Sequence, residues 1–131
     1  MPSTVRQRLH ALRHQLLQQH KALLAIERAA YERARDSAVS GAELLRLVLH
    51  DDQFAWLRPL SVLIVRIDEI LEFDDQALPA EAAGLWQQAA ALFKPSAEQG
   101  LFGRRYYETL QQFPELAAMH ARLRRLLAGE V

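Results

Sequence analysis

Apolar residues recur along the first third of the chain at alternating spacings of four and three. Val5, Leu9, Leu12 and Leu16 are followed, past a polar Gln19, by Leu23 and Ile26. That repeat lays one apolar stripe along a single helical face. Thr4 and Gln7 have the spacing of a capping box, in which the hydroxyl takes a free first-turn amide and the glutamine reaches back, so the pattern predicts one helix over 4–35. Over residues 22–31 the apolar face widens, because Leu17, Leu24 and Tyr31 form a second row while Ala25, Ala29 and Ala30 remove bulk elsewhere. At about 1.5 Å per residue such a helix spans roughly 48 Å, longer than a compact domain of this size requires. The expectation is that its first half projects and pairs with a second copy, or is covered by the last two helices folding back.

Val39-Ser40-Gly41 breaks the pattern, and Ser40 with Glu43 reads as a second capping box. The short helix behind it, 43–50, has Leu44, Leu45, Leu47, Val48 and Leu49 around most of its circumference and leaves one strip to Glu43, Arg46 and His50. Asp51 or Asp52 can cap a turn carrying Phe54 and Trp56, and Pro59 suits the first turn of the next helix, where its missing amide costs nothing. That helix, 59–73, sets Leu60, Leu63, Ile64, Ile67, Ile70 and Leu71 on one broad face and Val62 and Val65 among the charged residues of the other. Asp74-Asp75 ends it. Pro79 opens a further helix with Ala82, Leu85, Trp86, Ala89, Leu92 and Phe93 in phase, and the stretch FKPSAEQGLFG reads as a loop with one turn capped by Ser96. Phe102, Tyr106, Leu110 and Phe113 then share one helical face, and Leu116, Met119, Leu123 and Leu126 another, with Pro114 at a start or kink. No run alternates strictly enough for a half-buried strand. The fold class expected is all-α, a helical bundle of about five to six helices with a long N-terminal helix, in one domain over 1–131.

Composition narrows the functions. Half of the 131 residues are apolar or aromatic and about a quarter are charged, the balance of a folded water-soluble chain. There is no cysteine, which removes disulfides, thiolate metal sites and thiol nucleophiles and fits a reducing compartment such as the cytoplasm. The 16 basic and 16 acidic groups balance but are unevenly spread: residues 1–35 carry +5, 36–100 carry −7 and 101–131 carry +2. A basic first helix beside an acidic middle reads as internal complementarity rather than a field aimed at nucleic acid. No membrane span is expected, since the apolar stretch 59–65 stops at Arg66, far short of the roughly 20 residues a bilayer requires. No acidic group precedes Glu27, a composition that presequences share, but the helical pattern continues past that residue without a break.

Candidate chemistry is sparse. His10 and His14 stand one turn apart without a carboxylate beside them, and His20, between two apolar rows, reads as a hydrogen-bonded residue at the core edge. The acidic residues Asp68, Glu69 and Glu72 lack the ligand order of an EF-hand loop, so no metal and no cofactor is expected. Gly103-Arg104-Arg105-Tyr106-Tyr107 combines basic and aromatic groups as nucleic-acid contacts do, but the helical spacing claims at least one tyrosine for the core. One polar site remains: Glu43, Arg46, His50, Asp51 and Asp52, where an imidazole beside carboxylates has the ingredients of a general base. The competing explanation is a helix junction, with His50 at a helix C-terminus, Arg46 paired to Glu43 and the aspartates as caps. The expectation drawn is a small non-catalytic protein that works by contact with a protein partner or with itself as a homodimer. Val5, Leu9, Leu12, Leu16, Val62 and Val65 are its candidate interface, and the alternative is an enzyme or ligand-binding protein with its pocket on the polar strip.

Overall fold

A computed structural model describes residues 4–73, 79–94 and 100–129, the side chains of Phe73 and Pro79 excepted. The expectations at Asp74-Asp75 and Ser96 lie outside the described residues. Within them the chain forms seven helices and no strand: α1 (Val5–Arg35), α2 (Gly41–His50), α3 (Asp52–Ala55), α4 (Arg58–Phe73), α5 (Pro79–Leu92), α6 (Leu101–Gln112) and α7 (Pro114–Leu127). The all-α bundle with a long first helix is therefore the fold. The added helix is α3, a single turn that the sequence marks only as a capped turn.

The capping residues act largely as their side chains dictate. Thr4 accepts the Gln7 amide while the Gln7 side chain takes the Thr4 amide, closing both halves of the box. Ser40 Oγ accepts the Glu43 amide at 3.1 Å, but the Glu43 carboxylate turns to Arg35 instead of back to Ser40, so only half of that box forms. Asp51 ends α2 and begins α3, its Oδ1 accepting the Gln53 amide at 2.8 Å. Pro114 stands at the start of α7, where it needs no partner for an amide it lacks.

The first half of α1 does not project. Leu9, Leu12 and Leu16 retain 0% of their surface, because α4, α5 and α7 close over the stripe within one chain. The physical reason is the last helix: α7 runs back along α1, and Trp86 of α5 fastens its end by donating Nε1–H to the carbonyls of Leu127 at 3.2 Å and Gly129 at 3.0 Å. Arg8 lies 4.8 Å over the Trp86 ring, completing the clasp at the start of α1. Each leucine so covered contributes about 1.5–3 kcal/mol, so the length of α1 is spent on the core. The basic first helix and the acidic middle meet as their charges suggest, through the ion pairs Arg13–Asp68 and Arg35–Glu43.

At the other end of the bundle the crossover from α2 to α4 is anchored by Phe54, Trp56 and Leu57, all buried. The Trp56 ring lies 5.5 Å from Phe102, and Phe102, Phe93 and Tyr106 pack on one another at 5.2–5.6 Å. The broad face of α4 is buried as its pattern requires, with Leu60, Leu63, Ile64, Ile67 and Leu71 in the core. By contrast α2 has no buried residue.

Candidate functional site

The structure assembles most of the polar strip. Glu43, Arg46, His50 and Asp51 line an open cleft of about 470 Å³ together with Tyr31, Arg35 and Leu47. Asp52 is not among them; it begins α3 and faces solvent. The pairing differs from the expected one, since Glu43 bonds Arg35 across the α1–α2 turn and leaves Arg46 exposed. Residues eight apart in sequence meet because the chain reverses at Asp36, which adopts a left-handed φ of 53°. Asp51 is occupied as a cap, and among the described residues His50 has no carboxylate partner that would orient it as a base. The junction reading accounts for His50, at the C-terminus of α2, and for Asp51 as a cap, but not for Arg46 or Asp52, both exposed; Arg46 and His50 line the cleft. Among the described residues no three His, Asp or Glu side chains are grouped to hold a metal ion.

Two polar clusters lie deeper, and the sequence pattern does not point to them. Glu27, buried on α1, accepts from Trp56 Nε1 at 3.1 Å and Gln53 Nε2 at 3.0 Å, with Arg105 Nη2 3.8 Å away. Gln19 donates to the Tyr106 hydroxyl, which in turn lies 2.8 Å from His120 Nδ1. The Tyr106 hydroxyl and His120 Nδ1 share one hydrogen, and the imidazole tautomer decides which of the two donates it. Burial holds the His120 pKa below its ordinary value, and the nearby Arg124 adds to the effect. Burial also pushes the Tyr106 hydroxyl far above the usual phenol range, against the opposing bond from Gln19. His20 bonds Ser61 Oγ at 3.0 Å and is likewise lowered by burial, the core-edge role its position suggests. These clusters satisfy buried polar atoms and tie α1 to α3, α6 and α7. Tyr106 and Glu27 are both buried, and their polar atoms are engaged within the bundle.

The Gly103–Tyr107 combination is divided by the helix. Tyr106 is in the core, Arg105 turns toward Glu27 and the Trp56 ring, and of the four charged or aromatic groups Arg104 and Tyr107 face outward.

The remaining candidates are apolar surfaces. Of the residues offered as an interface, Leu9, Leu12 and Leu16 are removed by their burial and Val5 is half-covered. Val62 and Val65 are exposed by 49% and 51%, and on α2 Leu45 and Leu49 are exposed by 60% and 54%. The end of α2 meets the start of α4, where Arg58 donates to the Leu49 carbonyl at 2.7 Å. A groove of about 340 Å³ between α1 and α7, floored by Ala22, Ala25, Ile26, Ala29 and Leu116, is a second apolar feature. No helix among the described residues is long and apolar enough to cross a membrane. Neither a family model, nor a curated protein, nor a solved structure matches the chain.

Proposed function

We propose that this chain works by protein–protein contact, as a small adaptor, regulator or self-associating subunit, rather than by catalysis, and that it does so in the cytoplasm, which its lack of cysteine suits. The observation that carries the reading is the placement of Leu45, Leu49, Val62 and Val65. All four are about half exposed or more, on two helices whose ends meet where Arg58 holds the Leu49 carbonyl, while Leu9, Leu12 and Leu16 of α1 and the broad face of α4 are spent on the core. A single exposed apolar side chain is ordinary, but pairs at i,i+4 and i,i+3 spacing on one helix face, as Leu45 with Leu49 and Val62 with Val65, are what contact surfaces are made of. The amphipathic α2, with no buried residue of its own, gains its missing packing when a partner covers it.

A second reading has one observation in its favour, the cleft that gathers Glu43, Arg46, His50 and Asp51. It makes the chain a ligand-binding protein or enzyme. Two measurements separate the readings. In gel filtration of a cell extract the wild-type chain should elute above its own 14.9 kDa, and L45E/L49E/V62E/V65E should bring it down to that mass with its helicity intact. In a thermal-shift screen of metals and metabolites, a specific ligand at a hundred times its Kd stabilises by about 2.7 kcal/mol. One-chain elution of the wild type together with such a shift, lost in Arg46→Ala and His50→Ala, contradicts the contact reading.

A further inference from the structure

Along the middle of its solvent face α4 carries an ordered stripe, Arg58, Val62, Val65, Glu69 and Glu72, with the exposed Arg66 at its edge turned to Gln88 of α5. The spacing alternates four and three, so the five residues fall on one line opposite the buried Leu60, Ile64, Ile67 and Leu71. All five are exposed. Their order along the helix is basic, apolar, apolar, acidic, acidic. Neither Glu69 nor Glu72 spends its charge on an ion pair among the described residues. Arg58 gives Nη2–H to the Leu49 carbonyl and keeps the other N–H groups of its guanidinium.

Such a stripe complements itself when reversed. We propose that a second copy of this chain docks here, α4 lying antiparallel to the partner's α4 about a two-fold axis that passes between Val62 and Val65. Val62 then meets the partner's Val65 and Val65 the partner's Val62, while Arg58 faces the partner's Glu69 at both ends of the contact. A parallel pairing sets arginine on arginine and glutamate on glutamate, and like charges in apposition are costly. The contact is isologous, so each charge pair occurs twice. Leu49, held beside Arg58, adds apolar area at each end. The inference rests on the contact reading and gives its partner. Two valines and a flanking leucine from each copy make a contact at the small end of known interfaces, so the association is reversible and depends on concentration.

Light scattering on the purified full-length chain, diluted from near-millimolar to micromolar, tests it. With rising concentration the mass is expected to climb from 14.9 kDa toward twice that value. V62E/V65E should abolish the rise, and Glu69→Arg should weaken association by about tenfold or more, because it opposes two cations at both ends. The charge swap R58E/E69R should restore it, since each reversed group again meets its opposite; circular dichroism confirms that each variant keeps its helices. A constant one-chain mass overturns the proposal. If the same wild-type chain still elutes with another protein in extract and V62E/V65E does not, the contact reading stands and the second copy alone is rejected. A dimer indifferent to V62E/V65E and to Glu69→Arg also overturns it, since its interface is elsewhere.

Discussion

Trp56 closes the crossover in two ways at once, by filling the space beside Phe102 and by donating its indole N–H to the buried Glu27. Trp56→Ala is therefore expected to cost about 3–5 kcal/mol, a large share of a domain's stability, measured by denaturant unfolding. Wild-type stability in that variant would contradict the packing described. Two histidines make a different kind of contribution. His20 and His120 are both held below the ordinary imidazole value of 6.5 by burial, so at intermediate pH the folded chain binds fewer protons than the unfolded one. Their contribution is full above about pH 6.5 and is lost as pH falls through the lowered folded values. A stability profile should show this fall, and H20Q/H120Q should flatten it; a variant profile that falls as steeply as wild type contradicts the assignment. How visible these residues are in the sequence varies with how local their partners are. His20 between two apolar rows is legible. Gln19 reads as a break in the α1 stripe although it keeps its phase, because its partner Tyr106 lies 87 residues away. Glu27 continues the same spacing from Leu23, but a lone carboxylate announces nothing until Trp56, Gln53 and Arg105 are brought to it.

At the scale of single helices, periodicity and caps carried most of the information. The phase of α4 and the buried residues of α5 follow from spacing alone, since a helix of known phase has only one apolar side to bury, whereas on α7 the spacing gives Leu116 and Leu123 but Leu127 is buried where it points to Leu126. What spacing does not contain is which neighbour covers that side. The α1 stripe has the form of a coiled-coil seam, and only the path of α7, pinned by Trp86 to its end, reveals that the seam is filled within the chain. Leu9→Glu with Leu16→Glu thus unfolds the bundle instead of splitting an assembly. Each change buries a charge where the side chain has no exposure, and breaking the core in this way costs several kcal/mol. Loss of the cooperative thermal transition is the expected result. A stable monomer from that double variant would return the helix-1 stripe to the surface. The polar strip shows the same limit in reverse: of the five residues the sequence groups, Glu43, Arg46, His50 and Asp51 line one cleft and Asp52 does not, and the turn at Asp36 gives Glu43 to Arg35 instead of Arg46.

For the molecule as a whole, the apolar material divides into a core that one chain completes and exposed side chains that it does not: Leu45 and Leu49 on α2, Val62 and Val65 on α4, Leu17 on α1, and Leu101 and Tyr107 on α6. Under the contact reading proposed above, the exposed residues on α2 and α4 are where a partner docks. The most direct measurement replaces Val62 by a photoreactive aromatic amino acid in the full-length chain, irradiates cells that express it, and weighs the adducts. A second variant carries the same group at Ala25, in the groove between α1 and α7, as the comparison. The surface on α4 should yield a covalent adduct one protein chain heavier than the 14.9 kDa of this one, with little from position 25. Adducts from position 25 and none from position 62 would contradict the claim that this face is where the protein meets others.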